Sequence, residues 1–169
     1  MSRKKQQSGI GPIEFEERVE RGAVDPLYLF LGPERHTRRA AIDALVATVD
    51  EAFRAFNVDR FSAAETPIET ALGVARQLPM MARRRLVVIS NVDAVKDTSE
   101  ERLEAYLKDP PPEATVVFVA DSLDMRRRAS TAISKAATVV RFDPLSEGEA
   151  VKWVESRVRA GGCHIDRSA

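Results

Sequence analysis

Cysteine and histidine are nearly missing from this sequence: Cys163, His36 and His164 are the whole supply in 169 residues. One thiol cannot form an intramolecular disulfide and fits a reducing compartment. His36 and the adjacent Cys163-His164 are too few ligands, too far apart, for a zinc site, so no metal is expected. No Ser/His/Asp or Cys/His arrangement has a second supporting feature, which leaves no catalytic residues to name. Net charge is missing too, with 26 basic residues against 26 acidic ones, so no global field drives the chain onto nucleic acid or an acidic membrane. No apolar run approaches membrane-spanning length. Residues 1–11 (Met1-Ser-Arg-Lys-Lys-Gln-Gln-Ser at the start) lack the apolar core of a signal peptide and read as a polar tail. The expectation is a soluble, cytoplasmic chain with no membrane partner.

The stretch from Asp25 to Ala41 organises what is there. Leu27-Tyr-Leu-Phe-Leu31 is a continuous apolar run bounded by Pro26 and Gly32, the pattern of a strand buried on both faces. Gly32-Pro33 breaks it. Ile42, Leu45, Val46, Val49 and Phe53 then fall at helical spacing, predicting an amphipathic helix that ends near Phe53–Phe56. Strand, glycine turn and helix are the layout of a phosphate-binding loop. Laid on G-x-x-x-x-G-K-[ST] from Gly32, the second glycine position holds Thr37, the lysine position Arg38 and the hydroxyl position Arg39. Such a loop needs glycine where backbone N–H groups wrap phosphate and a hydroxyl where Mg²⁺ is held. Arg39 cannot ligate a cation, so the frame of a nucleotide site is present without its chemistry and no cofactor is expected.

Along the chain, Pro12 to Arg21 reads as a short helix closed by Gly22. Val58–Phe61 reads as a short edge strand, and Thr66-Pro-Ile-Glu69 as a capping box opening a helix with Ile68, Ala71, Leu72 and Ala75 inward. Leu86–Ile89 is a third strand. Thr98-Ser-Glu-Glu101 is a second capping box, before a helix burying Leu103, Tyr106 and Leu107 and stopped by Pro110 to Pro112. Thr115–Val119 is a fourth strand, Arg126–Ala136 a basic helix and Thr138–Phe142 a fifth strand. Five buried strands alternating with helices predict an α/β fold: a five-stranded parallel sheet with helices on both faces. After Pro144, Ser146-Glu-Gly-Glu149 caps a last helix carrying Val151, Trp153, Val154 and Val158, ended by Gly161-Gly162. Its apolar stripe has no partner downstream. It reads as the first helix of an incomplete helical lid-like domain over 145–169, beside a main domain over 12–144.

Pro26-Leu-Tyr-Leu-Phe-Leu-Gly32, Arg85-Leu-Val-Val-Ile89, Leu103-x-x-Tyr-Leu107 before the three prolines, Leu123-Asp-x-Arg126 and Phe142-x-Pro-Leu-Ser146 occur in order. With Trp153 and Gly162-x-x-Ile165-Asp166, this set resembles the delta subunit of the bacterial DNA polymerase III clamp loader, in its N-terminal part. The resemblance implies an AAA+-like fold of P-loop type that has lost ATP binding. It also implies a role in opening the ring-shaped sliding clamp (the beta subunit) during DNA replication, beside other clamp-loader subunits and with DNA touched only indirectly or weakly. The residues agree on the loss: where the third strand should end in an acidic pair, Ser90-Asn91 stands, and the nearest carboxylate is Asp93.

Within that resemblance, Gln77-Leu78-Pro79-Met80-Met81 falls where the family places its clamp-binding element. Gln77 would hydrogen-bond at a pocket edge while Leu78, Met80 and Met81 fill apolar subpockets; Pro79 and the Met pair, where Leu-Phe is commoner, depart from the pattern. The competing reading makes this segment a helix end and core plug. Arg83-Arg84-Arg85 and Arg126-Arg127-Arg128 read as solvated faces, with Arg83 and Arg84 as a rim against acidic clamp surface or DNA. Asp121 and Asp124, after a strand end, are explained by a loop and helix start. The expected function is that of a non-enzymatic clamp-loader part; the rivals are a P-loop NTPase with an aberrant loop and a DNA-binding module using the arginines.

Overall fold

In a computed structural model, residues 9–95, 100–144 and 147–160 are described. The polar tail through Ser8, Thr98-Ser99, Ser146 and the closing Gly161-Gly162 and Cys163-His164 lie outside them. The predicted strands form as Leu27–Leu31 (β1), Val58–Ser62 (β2), Arg85–Ser90 (β3), Ala114–Ala120 (β4) and Thr138–Arg141 (β5). All pair in parallel, in the order β2-β3-β4-β1-β5. Every residue of β1 and of β4 is buried, as their unbroken apolar runs require, whereas the alternating β2 sits half-exposed at an edge.

Side chains alternate across the sheet and build two cores. Tyr28, Phe30, Leu86, Val88, Val117 and Val119 face the helices Pro12–Glu20 (α1) and Arg35–Ala47 (α2). Leu29, Leu31, Val87, Ile89, Val116 and Phe118 face Ile68–Ala75 (α4), Glu100–Lys108 (α5) and Arg128–Ala136 (α6). The first core is aromatic. Phe15 meets Tyr28 and Phe30 edge-on at ring-centre distances of 5.2 and 5.1 Å, and Phe142 lies 5.0 Å from Phe30. Such pairs add about 0.5–1.5 kcal/mol each beyond their burial.

Three local expectations need correction. The α2 stripe does not run on to Phe53: Thr48 turns its hydroxyl onto Leu45 O at 2.6 Å, and Asp50 caps a new 3₁₀ turn, Glu51–Phe53, by accepting from Ala52 N at 3.0 Å. A short helix, Arg54–Asn57 (α3), follows and leads directly into β2. The Thr66 capping box does not form, because Pro67 itself takes the N-cap position with no side-chain bond, one residue later than the box requires. Helix α6 starts at Arg128, since Asp124 captures Arg126 through both backbone and guanidinium.

The last helix is Glu147–Ala160 (α7), with Val151 and Val154 exposed to solvent. Among the described residues no helix is long and apolar enough to cross a membrane.

Candidate functional site

The connection leaving β1 crosses one face of the sheet toward β2, while the one leaving β4 crosses the other face toward β5. The crevice at the carboxyl ends of β1 and β4 is therefore the topological switch point, where open α/β sheets bind ligands. Here that crevice is occupied by a side chain of the protein. Arg38, at the lysine position of the degenerate loop, donates to Gly32 O at 2.6 Å and to Asp121 Oδ1 at 2.7 Å, with Ala120 O at 3.5 Å. The Arg38 hydrogen bond holds the Asp121 carboxyl below the usual carboxylate range.

The turn itself is closed. Gly32 has φ +136° and packs so tightly that a Cβ there would lie 2.3 Å from Phe142 O. Thr37 is buried, its hydroxyl 3.5 Å from Glu34 O, and Arg39 points into solvent, 3.9 Å from Asp43. Beyond β3, Ser90 donates to Phe61 O at 3.0 Å and Asn91 to Ser62 Oγ at 3.0 Å, so both side chains are tied to the edge strand. A neighbouring cavity of about 320 Å³ gathers Arg35, Arg38, Arg39 and Arg60. Its cations are paired with acids, Asp121 near Arg35 at 3.7 Å and Asp43 near Arg60 at 3.9 Å. Arg60 joins the three α2 arginines from β2, a convergence that its sequence separation hides.

The segment after α4 has the opposite character. Leu78 is 77 % exposed, Met80 54 % and Met81 81 %. The core-plug reading therefore fails on burial: these side chains plug nothing. The backbone is not uniformly extended, because Met81 turns it with φ +54°, a left-handed conformation rare for an unbranched non-glycine residue.

Three contacts hold the turn. At its start, Arg76 lies over the ring of Tyr106, 5.1 Å from the centroid, and burial pushes the Tyr106 hydroxyl up to about 12, so it remains a neutral phenol. In its middle, the fully buried Asn57 donates from Nδ2 to Phe53 O at 2.9 Å and Met80 O at 2.8 Å. Its Oδ1 accepts from Met80 N at 2.7 Å. At its end, Arg84 donates to Thr115 Oγ1 at 2.6 Å. Asn57 is the residue that sequence reasoning missed: a lone Asn before a strand carries no pattern, and its partners lie 23 residues on.

The arginine triplet is not one solvated face. Arg83 is exposed, Arg84 is half-buried on Thr115, and Arg85 is buried, donating to Asp59 Oδ2 at 2.7 Å and to Phe56 O at 2.8 Å. The second triplet also divides. Arg126 pairs with Asp124 and Arg128 with Glu104, while Arg127 donates to the carbonyls of Asp93 and Val95 and ties the loop after β3 to the start of α6.

The family model for the DNA polymerase III delta subunit matches residues 28–143, more than two thirds of the chain. The chain belongs to that family. A delta subunit from Bacillus subtilis is 28 % identical over 142 residues, covering 78 % of this chain and 41 % of that protein. Among solved structures, the DNA clamp loader delta protein of Bacillus subtilis superimposes with a TM-score of 0.76 at 24 % identity, over 89 % of this chain and 48 % of that one. A gamma subunit-related protein of DNA polymerase III from Thermotoga maritima gives 0.57 at 12 % identity, over 86 % of this chain and 49 % of that one. The RuvB Holliday junction branch migration motor of Thermotoga maritima gives 0.52 at 13 %, over 89 % and 48 %. The chain thus has the AAA+-like fold anticipated from its sequence, and it spans less than half the length of these relatives.

Proposed function

We propose that this chain is the clamp-binding part of a delta subunit: it docks on the sliding clamp, helps open its ring, and neither binds nor hydrolyses ATP. Leu78, Met80 and Met81 carry the reading, three large apolar side chains turned to solvent on a held turn just after α4. Such a cluster is unfavourable in water unless a partner covers it. Gln77, exposed beside it, supplies the polar contact that fixes register, and Pro79, beyond the Arg76 C-cap that already ends α4, keeps the helix from resuming through the segment.

The absence of nucleotide chemistry is supported by Arg38 filling the switch-point crevice and by Gly32 abutting Phe142 rather than cradling phosphate. With no chemistry on this chain, the work of opening comes from tighter binding to the open ring than to the closed one. Residues 12–144 form the docking domain in this reading, 145–169 begin a lid-like helical domain, and other clamp-loader subunits are partners of the full-length protein. The test is calorimetric titration with the cognate sliding clamp. Binding that Met80→Ala with Met81→Ala abolishes supports the proposal; binding unchanged by that pair overturns it.

A further inference from the structure

We propose that Asn57 is a positioning residue for docking, locking residue 80 by its N–H and its C=O so that Leu78, Met80 and Met81 stay displayed. The inference rests on the docking reading of that segment and adds the device that holds it.

A loop is ordinarily fixed by packing its apolar side chains inward. This one turns its apolar side chains outward, so packing cannot fix it. The left-handed Met81 adds a sparsely populated backbone state, which persists only where the surroundings over-determine it. Asn57 supplies that determination from the preceding side, and the Arg84 bond to Thr115 from the following side.

Apart from one local bond to Phe53 O, the polarity of Asn57 serves Met80. Asn57 is completely buried, where an apolar residue would avoid the desolvation of an amide, and its amide is spent on Phe53 O and the two backbone groups of Met80. Both Met80 groups would otherwise face solvent as the loop sampled other conformations. A preorganised loop binds more tightly because the ordering entropy is lost on folding, before the partner arrives.

The experiment compares the parent chain, Asn57→Ala, and a free peptide of residues 76–82 for binding the cognate sliding clamp, well below both melting midpoints. Backbone hydrogen exchange is followed in the two chains. Asn57→Ala should bind about tenfold more weakly or worse, with exchange at the Met80 amide rising sharply while the β3 and β4 amides keep their protection. The peptide should also bind at least about tenfold more weakly than the parent chain.

Parent-like binding by Asn57→Ala overturns the proposal, as does a peptide that matches the chain. So does a loss of binding that tracks uniform loss of protection across the sheet, since that marks a merely structural role. If Asn57→Ala does not fold, the peptide comparison decides alone. Failure of the docking reading shows separately, as parent-like binding by Met80→Ala with Met81→Ala.

Discussion

Arg38 and Asp121 join the start of α2 to the end of β4 across the switch-point crevice, 2.7 Å apart, with the guanidinium only 12 % exposed and the carboxylate half-exposed. In a working phosphate-binding loop the same position sends its cation to the ligand. Here it is committed to the carboxylate and to the Gly32 carbonyl, so a nucleotide would have to displace both.

The expected outcome is that ATP and ADP with Mg²⁺ leave the melting temperature unchanged. A ligand at a hundred times its dissociation constant would add about 2.7 kcal/mol, a rise too large to miss. A Mg²⁺-dependent rise, reversed by chelator, would contradict it and favour the NTPase reading.

Acid should act on the same pair. Because Arg38 lowers the Asp121 pKa in the folded state, the contribution is present above the unfolded value and disappears as pH falls through the folded one. Asp124, held at about 2 by Arg126, behaves in the same direction. Urea titrations between about pH 4 and pH 2 should show the parent losing its advantage over Asp121→Asn, by a small margin because the carboxylate is half in water.

Gly32 is expected to tolerate no side chain. At φ +136°, with Phe142 O where a Cβ would go, Gly32→Ala forces β1 and the end of β5 apart. A loss of roughly 2–4 kcal/mol should appear in denaturant unfolding. A loss under about 0.5 kcal/mol would mean that the turn relaxes freely.

At the docking turn, stability and binding should separate. Met80→Ala with Met81→Ala removes two exposed side chains, so the melting midpoint should stay within about 2 °C. Burying both in a partner pocket is worth roughly 2–4 kcal/mol, about thirty- to a thousandfold in dissociation constant. The rim arginines should behave differently from each other. Arg83→Ala should weaken association mainly at low salt, whereas Arg84→Ala should lower the melting temperature by leaving Thr115 without its donor. Salt-dependent titration and melting curves on the two variants distinguish them.

Truncation after Pro144 should leave a cooperatively unfolding domain, since Val151 and Val154 of α7 are exposed rather than packed on the sheet. The expected shift is a few degrees, of the order of 1 kcal/mol for a chain of this size. A much larger drop would show that α7 docks through Trp153.

The parallel sheet, its buried centre and its exposed edge were legible from Leu27 to Phe142 because each rests on local periodicity. An apolar run such as Leu27–Leu31 has no stable arrangement except burial on both faces, and the run alone says so. The departure from a phosphate-binding loop was equally legible, since it depends on which side chains stand at Thr37, Arg38 and Arg39. Pairings across the chain were not. Asn57 with Met80, Arg38 with Asp121, and Arg85 with Asp59 join residues 23, 83 and 26 positions apart. A hydrogen bond between such residues depends on three-dimensional registration that periodicity does not encode. For the same reason the arginine triplet read as one exposed run, although β3 begins within it and turns Arg85 inward. The sequence by itself determined the layers of the sheet and the residues that stand in the loop after β1, through local patterns of apolar and charged residues. Only the tertiary structure decided that Met80 and Met81 face water and that Asn57 bonds the Met80 backbone, because burial and long-range hydrogen bonds exist only once the chain has closed on itself.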